Sequence, residues 1–436
     1  MTEQTPDVRV ELDPTPPPPP RGLARALSAL RHRNYRLYFF GQLVNVLGSS
    51  MQMIGQAWFV LQLTHSAFQL GLVGALQLLP VLLFSVFAGV LADHWPKRAI
   101  LIAMYVASAA QALALWGLVF THNIQMWHLY LLAPLLGLVN CLAQPARFAI
   151  VSELTGRDDL PNAVALNSTV MNLARVLGPS LGGIIIAASG VASLFLINAI
   201  SYLVIVAALA LMNPRELYVA PQRPGDTEPQ PVAWRSLREG FAFIWRTPAL
   251  ILAIVVVGLH LLFSSNFNVL LPLFATEVLH VHAEGFGFMS AAFGMGSLLA
   301  ALVLAWGKIK PTIANVLLFG AVVCVLEVAF GLSQSFIPSL GALVIIGIGE
   351  EAMVTLAMTL IQLITPHHLQ GRVMSVNILF LDGTVPPGYL LTGWAASLYG
   401  APVTMLLGAA LAMVVVVLGW LFRKPAEKSA LETARA

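Results

Sequence analysis

Long apolar stretches alternate with short polar segments along the 436-residue chain. A helix that crosses the ~30 Å hydrocarbon core needs about 20 apolar residues, whereas a barrel strand needs about 10 in alternation, so the pattern predicts helical spans. We expect an all-α membrane protein with twelve transmembrane helices in two six-helix halves. The spans are expected at 37–63, 70–92, 99–121, 129–152, 164–188, 192–212, 249–273, 286–306, 312–332, 341–364, 373–398 and 402–422.

Polar segments divide the chain into five parts. The N-terminal part contains Pro16–Pro20 and is expected to be a disordered cytoplasmic tail. The longest loop begins as a Pro-rich linker and ends at Trp234–Arg246, where aromatic and basic residues alternate as in an interfacial helix. The predicted parts are 1–34 (tail), 35–212 (N-terminal half), 213–248 (linker), 249–423 (C-terminal half) and 424–436 (cytoplasmic tail).

Lysine and arginine occupy alternate loops, for example at Lys97–Arg98, Lys308–Lys310 and Arg372, and the loops between them contain neither. Such loops stay on the cytoplasmic side during insertion, so the pattern predicts an even number of spans with both termini cytoplasmic. The net charge of +3 follows from this topology and gives no reason to expect a nucleic-acid partner. The first thirty or so residues lack an apolar core, so no cleavable signal peptide is expected.

The two halves resemble copies of each other. When the sequence is shifted by 210 residues, five residues of the first half align with identical residues of the second, and Asn140 aligns with Glu350. Six-plus-six repeats typify a large class of transporters that bind substrate near the membrane midplane, between the halves. The identities in this register are Gly137/Gly347, Asn167/Asn377, Gly178/Gly388, Gly183/Gly393 and Gly190/Gly400.

A short motif lies between spans two and three, with Gly89, Asp93, Lys97 and Arg98 in the order Gly-x-x-x-Asp followed by bases. It resembles the loop signature of the major facilitator superfamily. In that family the carboxylate and cations could latch helix ends and release them when the halves rock. His94 and Pro96 depart from the family pattern.

Span five carries Gly178-Pro179-Ser-Leu-Gly182-Gly183, which resembles a Gly-Pro-x-x-Gly-Gly element of exporters in this superfamily. Small residues let helices approach closely. The segments 144–147, 196–202 and 371–375 narrow the resemblance to the bacterial branch that includes the enterobactin exporter. The resemblance implies the major facilitator fold and proton-driven efflux of a siderophore, drug or other amphipathic metabolite across the inner membrane. Ala133 stands where such exporters often have an arginine.

Ionisable groups inside spans cost about 2.5–3.5 kcal/mol each on insertion scales, so each needs a partner or a function. Glu350, Glu351 and Asp382 are candidate proton carriers. The alternative is that Arg147 or Arg175 neutralises a carboxylate in a structural ion pair. Glu327 is expected to be a packing or outer-vestibule residue and is left out of the predicted site.

In the family that the chain resembles, spans one, four, seven and ten line the central cavity. Polar residues at helical spacing mark one face of each of these spans. The predicted cavity residues are Asn45, Gln52, Gln56, Asn140, Gln144, Arg147, Arg175, His260, Ser264, Asn268 and Thr355.

Other functions are disfavoured. The chain has no HExxH or GxSxG motif, so it is not expected to be an enzyme or to need a cofactor. The His280 and His282 region does not fit a closed zinc site, so no metal is expected. The expected partners are a small-molecule substrate, protons and membrane lipid, with a monomeric carrier. The alternative function is a lysophospholipid or lipid flippase on the same fold.

Overall fold

The computed structural model describes residues 27–218 and 233–433, without the side chains of 86, 90, 93, 233–236 and 426–433. The predicted Pro16–Pro20 tail and the Pro-rich part of the linker lie outside these ranges. Within them, every regular element is a helix, which confirms the all-α class.

The N-terminal half contains five continuous helical elements, preceded by a short 3-10 turn at Ser28–Arg31. They are α1 (Arg33–Thr64), α2 (Ala67–His94), α3 (Lys97–Phe120), α4 (Met126–Ser189) and α5 (Ala192–Ala210).

The C-terminal half follows α6 (Ala233–Arg246), the helix in the predicted interfacial segment. Its seventh span is broken into α7 (Pro248–Phe263) and α8 (Phe267–Leu273), the latter continuing as a π turn over Phe274–Val278. The remaining helices are α9 (Ala283–Ala305), α10 (Ile313–Gly331), α11 (Phe336–Ile364) and α12 (His367–Thr433).

Among the described residues, nine helical segments are long and apolar enough to cross a membrane. Two of them are long enough for two crossings: α4 has 64 residues and departs from helical angles at Gly156, and α12 does so at Gly400. The 32 residues of α1 carry a series of amide side chains that lower its hydropathy, although its length suffices for a span. These lengths leave room for twelve crossings, and the count of twelve stays a prediction.

The glycines paired by the 210-residue shift occupy matching places. Gly190 has φ/ψ of 80°/166° and Gly400 has 78°/165°. A Cβ at Gly137 would lie 1.8 Å from the Gln77 carbonyl oxygen on α2, and one at Gly347 would lie 2.2 Å from that of Phe293 on α9. These matching close approaches support the interpretation of the halves as structural repeats.

One end of the bundle, here called the basic end, carries the Lys/Arg loops; the other is the opposite end. At the opposite end a single apolar core joins the halves, and Trp58 stacks on Phe286 with ring centroids 5.9 Å apart. Towards the basic end, the described apolar cores each belong to one half only. Among the described residues, apolar packing therefore joins the halves at the opposite end, whereas no apolar core joins them at the basic end.

Two helix pairs make the main contact between the halves: α2 with α12 and α4 with α9. Glycines permit both close approaches. A Cβ at Gly183 would lie 2.5 Å from the Ala283 carbonyl oxygen, and one at Gly393 would lie 2.8 Å from that of Ala67. Gly183 belongs to the predicted efflux motif, so this part of the motif forms a seam between the halves.

Candidate functional site

The space between the halves ends, towards the opposite end, in a cavity of about 90 Å³, here called the apical cavity. Its polar lining consists of neutral groups. Gln56 donates to Gln77 Oε1 at 2.8 Å, and Asn268 donates to the hydroxyl of Tyr389 at 2.6 Å. Apolar groups, including those of Met53, Val60, Leu70 and Val269, form the rest of the wall. The lining is amphipathic and uncharged.

One ion pair joins the halves beside this space. Arg175 on α4 donates from Nη1 to Glu351 Oε2 on α11 at 3.3 Å. Their side chains are 50% and 30% exposed, so the pair is accessible from the space between the halves. Thr355 donates to the other carboxylate oxygen of Glu351, also at 3.3 Å. Three predicted site residues are thus brought together.

Glu350 precedes this pair on α11. Its Oε2 is buried and has no hydrogen-bond partner. Its electrostatic neighbours include Ser265, Glu351 and Arg175. One cation therefore faces two adjacent carboxylates, and at most one of them is balanced by it.

Asp382 lies on α12, seven residues before Tyr389 and therefore on the same helix face, which lines the apical cavity at Tyr389. Its side chain is exposed, and among the described residues it has no hydrogen-bond or ion-pair partner. The structure does not bring Asp382 into contact with Glu350 or Glu351.

The break in span seven contacts a further carboxylate, on the ninth span. Ser264 lies between α7 and α8 and donates a hydrogen bond to Oε2 of Glu327 on α10. Glu327 is fully buried, and its Oε1 has no partner. Sequence reasoning omitted Glu327; the available signal was Ser264-Ser265-Asn266, three polar residues that interrupt an apolar span.

Other predicted residues lie inside a single half. Gln52 donates to Gln111 Oε1 at 3.3 Å and accepts from Asn198 at 2.7 Å. Asn45 is buried with an unpartnered amide nitrogen, and His260 is fully buried with its Nδ1 3.9 Å from the sulfur of Cys324. Helical periodicity groups these residues on one face but does not say which neighbour that face contacts.

On the fourth span, Arg147 donates to the backbone and side-chain oxygens of Asn140 at 3.3 and 3.4 Å. Tyr38 and Tyr105 are its electrostatic neighbours within the N-terminal half. Gln144 is exposed. Arg147 is thus held by its own half, unlike Arg175.

The predicted gating motif contacts only its own half in the described contacts. Lys97 pairs with Glu153 at 3.5 Å, and Arg98 donates to the Leu209 and Ala210 carbonyl oxygens at 2.7 and 2.9 Å. A Cβ at Gly89 would meet nothing within 4 Å. The side chain of Asp93 lies outside the described residues.

The rest of the efflux motif packs inside and between the halves. A Cβ at Gly178 would lie 2.4 Å from that of Ser50 on α1, and one at Gly182 would lie 3.4 Å from Met51 Cα. The Pro179 carbonyl oxygen would lie 2.5 Å from a Cβ at Gly287 on α9. The described residues contain no group of three His, Cys, Asp or Glu side chains arranged to hold a metal ion.

Residues 24–436 match the family described as transmembrane secretion effector. The staphyloferrin A transporter of Staphylococcus aureus is 26% identical over 89% of this chain and 96% of its own length. The multidrug efflux pump Tap of Mycolicibacterium fortuitum is 26% identical over 88% and 93%, and the enterobactin exporter EntS of Escherichia coli is 25% identical over 80% and 82%.

Solved structures share the fold. A bacterial homologue of the human lysosomal transporter Spinster, in an inward-facing and unoccupied conformation, superimposes with a TM-score of 0.67. It covers 95% of this chain and 98% of its own at 13% identity. The nucleoside transporter NupG gives a TM-score of 0.71 at 11% identity, covering 89% of this chain and 98% of its own.

Proposed function

Since the chain belongs to the transmembrane secretion effector family of the major facilitator superfamily, we propose that it exports a small amphipathic molecule in exchange for protons. Its multi-pass fold and its relatives, which are named as a staphyloferrin A transporter, a multidrug efflux pump and an enterobactin exporter, support membrane transport of a small molecule. The direction of transport, the coupling ion and the class of cargo belong to the proposal.

The observation that carries the proposal is the Arg175–Glu351 pair with Glu350 beside it, at the boundary between the halves. A carboxylate that is balanced by a cation from the other half loses that partner when the halves separate there. An unpaired carboxylate in a desolvated site is stabilised by binding a proton. Movement of the halves and protonation are thereby coupled.

The cores support alternating access. The halves share an apolar core at the opposite end and have separate cores towards the basic end. With the basic end in the cytoplasm, as the Lys/Arg pattern predicts, the space between the halves opens to the cytoplasm. Substrate would then enter from inside the cell, across the inner membrane, as export requires.

The lining of the apical cavity supports an amphipathic cargo. Gln56, Gln77, Asn268 and Tyr389 supply neutral donors and acceptors, and apolar side chains supply the remaining wall. Such a surface binds rings and alkyl groups that carry a few polar substituents. The charged groups at Arg175, Glu350 and Glu351 are then available for coupling.

The test uses everted membrane vesicles energised to be acidic inside, with a pH-gradient dye and a panel of siderophores and cationic drugs. We expect at least one compound to dissipate the gradient. The response should be lost in Glu350→Gln and retained in Glu277→Gln, which removes an exposed glutamate near the opposite end. A response that survives in Glu350→Gln overturns this coupling role. No response to any compound, with the protein inserted, overturns proton-coupled export of this cargo class and favours a lipid-translocation assay instead.

A further inference from the structure

Glu327 is a buried carboxyl group that the proposed coupling site does not include. Its side chain has no exposed surface, and no described ion pair contains it. Oε2 accepts from Ser264, whereas Oε1 has no partner. An ionised carboxylate without a cation in such a place is costly, so the site favours a bound proton or cation.

In the N-terminal half, the corresponding contact between the first and third spans contains no carboxyl group. There, Gln52 of the first span bonds to Gln111 of the third span; here, Ser264 of the seventh span bonds to Glu327 of the ninth. Gln111 also donates to the Leu132 carbonyl oxygen at 3.3 Å, and Gln52 accepts from Asn198. Neutral amides therefore satisfy this position in one half, so packing alone does not require a glutamate in the other.

Glu327 is also connected to the coupling site. Ser264 is followed in the chain by Ser265, whose buried hydroxyl has no hydrogen-bond partner. Glu350 is an electrostatic neighbour of both Ser265 and Glu327. Both serines lie where α7 has ended and α8 has not begun: the Ser264 N–H makes the last bond of α7, to the His260 carbonyl oxygen, and the Ser264 carbonyl oxygen accepts from the Asn266 N–H instead of from a helical partner. Broken helices of this kind form the ion sites of several transporter folds.

We propose that Glu327 is a second proton-carrying residue, which exchanges its proton with Glu350 through the hydroxyl groups of Ser264 and Ser265. The proposal rests on the proposed proton coupling and extends it from the space between the halves into the interior of the C-terminal half.

The transfer conserves atoms and charge. The O–H bond of one carboxylic acid breaks, each serine hydroxyl accepts one proton and donates another, and an O–H bond forms on the other carboxylate. The two glutamates share one proton and one negative charge before and after. No oxidant, metal or cofactor takes part.

Few other titratable groups face Glu327. His260 on α7 and Cys324 on α10 contact each other at 3.9 Å, and Cys324 and Glu350 are electrostatic neighbours of Glu327. The α12 segment that packs on α10 beyond Gly400 contributes no titratable side chain within the span. His260 is the competing proton acceptor, so the test includes its variant.

The experiment is infrared difference spectroscopy of the purified full-length protein in liposomes, titrated with pH and repeated in D₂O. It needs no substrate. We expect a protonated-carboxyl C=O band that is absent in Glu327→Gln, shifted in frequency in Ser264→Ala, and unchanged in Glu277→Gln and His260→Asn. Because Gln111 occupies the matching place in the other half, Glu327→Gln should fold, and its thermal unfolding midpoint provides the check.

The vesicle assay provides a second measurement, the dissipation of the pH gradient by added compounds. Glu327→Gln should lose the proton response as completely as Glu350→Gln. The inference is overturned if no carboxyl band disappears in Glu327→Gln. It is also overturned if the band is lost on raising the pH only in the His260→Asn variant, or if added Na⁺ removes the band at fixed pH. Loss of the response in Glu350→Gln, together with any of these results, leaves the proposed function standing and refutes only the role of Glu327.

Discussion

Gly190 and Gly400 adopt nearly the same backbone angles, 210 residues apart, but the polar groups inside the two halves differ. At the same shift, Asn140 in the fourth span corresponds to Glu350 in the tenth. Inside the bundles, the Gln52–Gln111 pair of the N-terminal half has the Ser264–Glu327 pair as its counterpart. The repeated backbone therefore carries amides in one half and carboxyl groups in the other.

The difference extends to how well the polar atoms are satisfied. Among the described residues, every buried carboxylate oxygen without a partner lies in the C-terminal half, including those of Glu327 and Glu350. Buried polar groups are usually hydrogen-bonded, so unpartnered ones indicate either bound ligands or function. The proposed coupling therefore assigns the groups that change protonation to the C-terminal half, and the N-terminal half contains no unpartnered buried carboxylate oxygen among the described residues.

The largest effect should come from exchanging the paired positions on spans four and ten. Glu350→Gln should reduce the proton response in vesicles to background, because an amide cannot carry a proton between the two sides. Asn140→Asp should not restore it, since Arg147 already donates to Asn140 and would hold the new carboxylate ionised. If the variant that combines Asn140→Asp with Glu350→Gln regained the proton response, the two positions would be interchangeable and the proposed difference between the halves would be wrong.

A large effect on stability is expected at the seams where the halves meet. Gly183→Ala places its Cβ 2.5 Å from a carbonyl oxygen of the other half, and Gly393→Ala places its Cβ at 2.8 Å. Overpacking of this kind costs about 1–3 kcal/mol. Both variants should lower the thermal unfolding midpoint by similar amounts, because the seams are symmetry-related. Gly341→Ala, which meets nothing within 4 Å, is the control; a comparable loss there would contradict the account.

The ion pair between the halves should matter little for stability. Arg175 and Glu351 are 50% and 30% exposed, and solvent screening limits such pairs to about 0.2–1 kcal/mol. A double-mutant cycle with Arg175→Gln and Glu351→Gln, measured by thermal unfolding, should give a coupling in this range. A much larger coupling would favour the structural ion pair over a role in proton transport.

The smallest effect should be at the basic end of the N-terminal half. Asp159 accepts from Ser28 at 2.5 Å and contacts His32 Nε2 at 2.8 Å. These hydrogen bonds lower the pKa of Asp159. A lowered pKa means that this contact is fully present above the usual aspartate range and is lost as the pH falls through the lowered value.

We expect acidification, or Asp159→Asn, to increase hydrogen exchange over residues 28–34 by an amount corresponding to at most about 1 kcal/mol. Asp158→Asn, at the exposed neighbouring position, should leave the exchange unchanged. Equal exchange in the two variants at neutral pH would show that the contact does not hold this segment.

Much of the architecture was predictable from the sequence. Span length, the positions of Gly190 and Gly400, and the 210-residue register all follow from local composition, because a lipid environment leaves helices as the available structure. The seam at Gly183 was also indicated by the motif around Pro179. The break of span seven was not predicted, although Ser264-Ser265-Asn266 marks it.

The site was less predictable, since a helical face does not identify its neighbour. Arg175 and Glu351 were both selected, and the structure brings them together at 3.3 Å. Gln52 was selected for the same reason, yet it bonds inside its own half. Glu327 was omitted because the sequence indicates only its depth in the ninth span. It does not indicate that Ser264 on the seventh span is its partner.

The most direct test of the central claim is proton counting in proteoliposomes that contain a pH dye, with a compound that responds in the vesicle panel. Wild-type protein should move protons with the compound, and so should Arg147→Gln and Gln111→Ala in the N-terminal half. Glu350→Gln should give no compound-dependent proton movement while still binding the compound. If the N-terminal variants lose coupling and Glu350→Gln keeps it, the division of roles between the two halves is wrong.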